Sequence, residues 1–143
     1  MNASELSALY DRYFEEAAAA ERNRKPMDGL LGFGKKPQDD PCHDRFLDSV
    51  RDWLKDYSDT SPESSSVRDV LSRIYFISDG LEQSGSAYWM LFAIHGLTLD
   101  LIPFLSSEDA AALKDRYARS FPRYTRLPVQ KQVFKALEKQ AGR

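Results

Sequence analysis

Apolar residues recur along most of this chain at intervals of three and four, the spacing that gathers side chains on one face of an α-helix. Leu6, Leu9, Tyr10, Tyr13, Ala17 and Ala20 form the first such stripe, and Asn2 with Glu5 supplies a capping box, so the pattern predicts a helix from about Ala3 to Arg24. From Lys25 to Asp40, Pro26, Gly29, Gly32, Gly34 and Pro37 exclude a regular helix. Asp40 then offers an N-cap and Pro41 a first-turn residue for a second helix, whose Phe46, Leu47, Val50, Trp53, Leu54 and Tyr57 share a face. Ser61, Pro62 and Glu63 predict the start of a third, with Val67, Val70, Leu71, Ile74, Ile77 and Ser78 on one side and Phe76 projecting away from it.

Asp79 and Gly80 read as a stop, and a fourth helix begins at Ser84 or Ser86. It is apolar nearly all round as far as Ile102, which predicts burial, and Pro103 ends it. Ser106 to Asp109 is an N-terminal signature for a fifth helix with Ala110, Leu113 and Tyr117 facing inward. Pro128 opens a sixth, striped by Val129, Val133, Ala136 and Leu137. No segment reads as a strand. The expectation is an all-α fold: one helical domain over residues 1–143, a compact bundle of about six helices around an apolar central helix at about 86–102.

A chain of 143 residues can bury about two-thirds of its unfolded surface, enough for a core without metals or disulfides. Cys42 is the lone cysteine, so no intramolecular disulfide can form. The N-terminus lacks a basic patch followed by an apolar run, and the stretch Ala87 to Leu105 is broken by His95, Gly96, Thr98, Asp100 and Pro103. A soluble, cytoplasmic protein without a membrane partner is expected.

Three local patterns resemble chemistry. Residues 29–36 match seven positions of the phosphate-binding pattern G-x-x-x-x-G-K-[ST], but Lys36 stands where a magnesium-binding hydroxyl is required. The stretch follows a helix, and no α/β alternation surrounds it, so a connector tucking Leu30, Leu31 and Phe33 onto the bundle is the preferred reading. Cys42 and His43 open the second helix, where a thiol could be activated. Adjacent helical residues do not face one another, however, and both fall in line with core positions, which favours a structural thiol and a core or capping histidine. With three Cys and His residues in the chain, no metal site and no cofactor are expected.

His95 and Asp100 are polar residues on the apolar fourth helix. Five residues of helix turn their side chains about 140° apart, so they cannot form an acid/base pair on that helix. Trp89, His95, Gly96 and Asp100 nonetheless mark the place where a small ligand pocket or enzyme site would lie, against the simpler reading of hydrogen-bonded core residues and a close helix approach at Gly96.

The overall charge of −2 hides a division: residues 110–143 carry +7 and the preceding 109 residues −9. Arg116, Arg119, Arg123, Arg126, Lys131, Lys135 and Lys139 are the candidate binding residues, interleaved with Tyr117, Phe121 and Tyr124. Cations among aromatics suit phosphates and stacked bases, but no nucleic-acid motif accompanies them. No complete catalytic constellation is present. A non-catalytic protein-interaction module, binding a protein partner or itself, is therefore the leading expectation, with nucleic-acid or other polyanion binding through the basic region as the alternative. A small enzyme or ligand-binding protein using the His95 and Asp100 region stands third.

Overall fold

A computed structural model describes residues 1–23, 40–79 and 86–143, and among them it contains six α-helices and no strand. They are α1 (Ala3–Arg22), α2 (Pro41–Asp59), α3 (Ser64–Phe76), α4 (Ser86–Ala93), α5 (Ser107–Ser120) and α6 (Pro128–Ala141). The segment resembling a phosphate-binding loop, and the Gly80 stop, lie outside the described residues. No helix among the described residues is long and apolar enough to cross a membrane.

Local chemistry sets several of the boundaries. At α1 the Asn2 side chain accepts from the backbone of Ser4 and Glu5 while Glu5 accepts from the Asn2 amide, satisfying amides that have no partner within the helix. Ser106 caps α5 through the Asp109 amide, and at α6 the Leu127 amide donates to Gln130 Oε1 at 2.8 Å just before Pro128. Asp40 occupies the N-cap of α2 but makes no side-chain cap bond. The third helix starts at Ser64, not Ser61, because Ser61 takes a left-handed φ of 51° that no α-helix accommodates.

The largest departure from the sequence pattern is the central element. Regular helix stops at Ala93, a 3-10 segment follows over Ile94–Thr98, and a second short one spans Ile102–Phe104. Apolarity pointed to burial, which holds for Met90, Leu91, Ile94, Leu101 and Ile102 but not for the exposed Trp89, and it carried no information about pitch. Gly96 weakens helix propensity, Thr98 Oγ1 turns back to bond the His95 carbonyl at 2.7 Å, and Pro103 can donate no amide. The tighter winding brings Gly96 against α6, where a Cβ on that glycine would stand 3.0 Å from Val129 Cγ2.

The core joins the predicted stripes: Leu6, Tyr10 and Tyr13 from α1, Phe46, Val50, Leu54 and Tyr57 from α2, Val67, Leu71 and Ile74 from α3, Leu113 and Tyr117 from α5, and Val133 and Leu137 from α6. Tyr13 stacks on Phe46 with ring centroids 4.1 Å apart. Phe76, expected to project outward, is buried instead, capped by the Arg116 guanidinium 4.0 Å above its ring. Between α3 and α5, Ser64 Oγ donates to Asp109 at 2.6 Å and accepts from the Ser106 amide at 2.7 Å, while Arg68 pairs with the same carboxylate. At the other end of α6, Gln140 Nε2 donates to the carbonyls of Leu105 and Pro103 at 2.7 and 3.3 Å.

Candidate interaction surface

The chain between α5 and α6 builds the most distinctive surface. Phe121 leaves the helix, and Pro122 leads into a 3-10 turn, Arg123–Thr125, closed by Thr125 Oγ1 donating to the Pro122 carbonyl at 2.9 Å. Arg126 folds back so that its Nε donates to the Phe121 carbonyl at 2.8 Å and its guanidinium lies 4.1 Å above the Phe134 ring. One exposed turn is thereby fixed beside α6, with Tyr124 at its tip 96% exposed.

A groove of about 930 Å³ runs between that turn and the helix, lined by Arg123, Tyr124, Arg126, Lys131, Gln132, Phe134, Lys135 and one carboxylate, Glu138. Elsewhere Arg12, Arg45, Arg51, Arg68 and Arg116 each reach a carboxylate within 4.0 Å. Among the described residues no ion pair is formed by Arg123, Arg126, Lys131 or Lys135; Arg123, Lys131 and Lys135 are exposed, while the half-buried Arg126 is held by the Phe121 carbonyl and the Phe134 ring.

The structure thus assembles four of the seven basic residues expected to bind. Arg116 lies on Phe76 and faces Asp79 at 3.9 Å, while neither Arg119 nor Lys139 lines the groove. Two of the aromatics expected beside them, Tyr117 and Phe121, are buried. Phe134 takes that place. Its position on α6, one residue after Val133 and one before Lys135, was the available signal, because it puts an aromatic at the edge of the buried stripe.

The four residues expected to mark a pocket go to different places. His95 is 1% exposed, its Nδ1 shares a 2.9 Å hydrogen bond with Tyr117 Oη, and the rings of Tyr75, Phe92 and Phe121 stand 5.1 to 5.8 Å away. Burial in this apolar cage pushes its pKa down to about 3, so the ring is neutral at ordinary pH. Asp100 is exposed and, with Gly96, lines a separate open groove of about 540 Å³ against Arg51, Lys55 and Asp59 of α2. Trp89, 42% exposed, sits 5.9 Å from the His43 ring. His95 and Asp100 are not partners, and Gly96 makes the close helix approach that its missing side chain permits.

Cys42 and His43 are both buried, as their helical positions implied. Desolvation, followed by the nearby Asp40 carboxylate, raises the thiol pKa, the opposite of what an activated nucleophile needs. His43 Nδ1 instead shares a 2.8 Å hydrogen bond with Tyr13 Oη, tying α2 to α1. Among the described residues no group of three or more His, Cys, Asp or Glu side chains could hold a metal ion. No protein-family model matches the chain, and neither does any curated protein or solved structure.

Proposed function

We propose that this chain is a non-catalytic interaction module that docks an acidic protein partner in the groove formed by Arg123, Arg126, Lys131 and Lys135. The observation carrying this reading is the gathering of four cations around one open groove where, among the described residues, no carboxylate, Glu138 of the same groove included, comes within ion-pair reach of any of them. Unpaired surface cations cost little in water, but they steer an oppositely charged partner and accelerate encounter. Their neighbours Tyr124 and Phe134 add the apolar contact that charge alone does not provide.

The test is fluorescence anisotropy of a labelled oligo-glutamate peptide titrated with the protein. Replacing Arg123, Lys131 and Lys135 together by Glu should weaken binding by between about threefold and about a hundredfold, since exposed pairs contribute about 0.2 to 1 kcal/mol each and about 1.4 kcal/mol is a factor of ten. Circular dichroism should be unchanged, because all three side chains are exposed. Equal binding by wild type and variant would refute the reading.

Tyr124 favours a second reading, single-stranded nucleic acid, because a fully exposed ring beside cations is a stacking platform. Under that reading Tyr124→Ala weakens binding of an oligo-dT probe far more than binding of the acidic peptide, and the affinity falls steeply with salt.

A further inference from the structure

We infer that the occupant of the basic surface is a second copy of this chain, presenting the aspartate row of its own α2. This inference rests on the groove being a docking surface. Along α6, Lys131, Lys135 and Lys139 recur every fourth residue and all are exposed. Along α2, Asp44, Asp48, Asp52 and Asp56 recur at the same interval and are likewise all exposed. Rows of residues four apart have a pitch of about 6 Å on any α-helix, so the two rows are matched in spacing as well as opposite in sign.

The match extends beyond the lysines. Arg123 and Arg126 precede the N-terminus of α6, and Asp59 closes the C-terminus of α2. Laid antiparallel, the two helices set lysines against aspartates along their length and the arginines against Asp56 and Asp59. That arrangement also opposes the helix dipoles favourably. Not every charge on α2 is acidic: Asp48 bonds Arg51 at 2.9 Å, Arg45 pairs with Glu16, and Lys55 lies on the exposed side. Lys55, together with Arg51, also lines the second groove, where Asp100 and Asp59 stand.

The contact cannot be satisfied within one chain as it is folded. Both α2 and α6 pack against the Ile94–Thr98 segment, and among the described residues no ion pair joins them. Because the two surfaces differ, the association is heterologous: each copy offers one acidic row and one basic row, and copies add head to tail.

The experiment is sedimentation of the full chain across a range of protein concentrations at an ionic strength of about 0.01 M, where the screening length is about 30 Å, and again at about 1 M, where it is about 3 Å. At low salt the wild-type mass should climb above 16.3 kDa with concentration and return to the monomer at high salt. A variant with Lys131→Glu, Lys135→Glu and Lys139→Glu, and another with Asp44→Lys, Asp48→Lys, Asp52→Lys and Asp56→Lys, should each remain monomeric. Mixed one to one, they should regain association and climb in mass with concentration as the wild type does, because the reversed rows are as complementary to each other as the intact ones. In that mixture the intact aspartate row belongs to the first variant and the intact lysine row to the second.

A wild-type chain that stays monomeric at low salt overturns the inference, as does association that survives both reversals or a mixture that fails to pair. These outcomes are separable from the binding test above. A monomer that still binds oligo-glutamate through Arg123, Lys131 and Lys135 keeps the docking reading and rejects self-association. A monomer that binds oligo-dT instead assigns the surface to nucleic acid.

Discussion

Replacing Gly96 by alanine tests how α6, and with it the basic row, is held on the bundle. The added methyl would meet Val129 Cγ2 at 3.0 Å, where carbon atoms in ordinary contact stand about 3.5 to 4.0 Å apart. Forcing an extra methyl into a packed contact costs about 1 to 3 kcal/mol, while the loss of glycine's unfolded-state freedom returns about 0.4 to 1 kcal/mol. The net expectation is a destabilisation of about 1 kcal/mol, equivalent to a few degrees in a chain of this size.

Val129→Ala removes the atom that clashes, so the pair forms a decisive cycle. Alone it should destabilise by about 1 kcal/mol, because Val129 is half-buried. In the double variant the alanine at 96 fills space vacated at 129, and the combined loss should fall short of the sum by about 1 kcal/mol or more. Urea denaturation of the four proteins measures this directly. Strict additivity, or a Gly96→Ala chain more stable than wild type, would refute the packing argument. Asp100→Ala should change stability by no more than about 0.5 kcal/mol, since the carboxylate is exposed.

The buried hydroxyls and His95 supply the remaining predictions. Tyr117→Phe strips the hydrogen-bond partner of His95 Nδ1 and should cost about 1 to 3 kcal/mol, whereas Tyr10→Phe removes a hydroxyl with no hydrogen bond among the described residues and should be neutral or stabilising in the same denaturation assay. His95 titrates near 6.5 when unfolded and about 3 when folded, so between those values the unfolded chain binds a proton the native chain refuses. Its contribution is therefore complete above pH 6.5 and declines on acidification, by about 1.4 kcal/mol for each pH unit, until pH about 3. A His95→Gln variant should show a shallower loss than wild type between pH 6.5 and 5, above the range of ordinary carboxylates; equal slopes would remove His95 from the cause. Cys42 should react with a thiol reagent only at the rate at which the chain opens, so reaction before any loss of helical signal would contradict its burial and raised pKa.

The helices were legible where side chains do backbone work. Asn2 with Glu5, Ser106 with the Asp109 amide, and Pro128 at the start of α6 each act within one turn, and a signal that local survives in one dimension. The winding of residues 94–104 was not legible from apolarity alone, and the place it gives Gly96, against Val129, is a contact 33 residues apart that no local pattern records. The same reason divides the expected pocket: Trp89, His95, Gly96 and Asp100 are close in sequence, but neighbouring α2, α5 and α6 take different ones of them. Phe76 left its stripe on the helix and still found cover, because Arg116 of α5 lies over it. The basic groove was half visible. Charge was readable residue by residue, but the turn that separates Arg123 and Arg126 from Arg116 and Arg119 was not.

Gln140 gives the groove a property that charge does not describe. Its two bonds to the carbonyls of Leu105 and Pro103 hold one end of α6, while Val129 seated over Gly96 holds the other. A helix pinned at both ends cannot bend or slide to meet a visitor. A partner therefore finds the spacing of the lysines already set, and association need not be charged with straightening the rod that carries them. Such a surface acts as a ruler: it rewards a partner whose negative groups repeat at its own interval and penalises one whose groups do not.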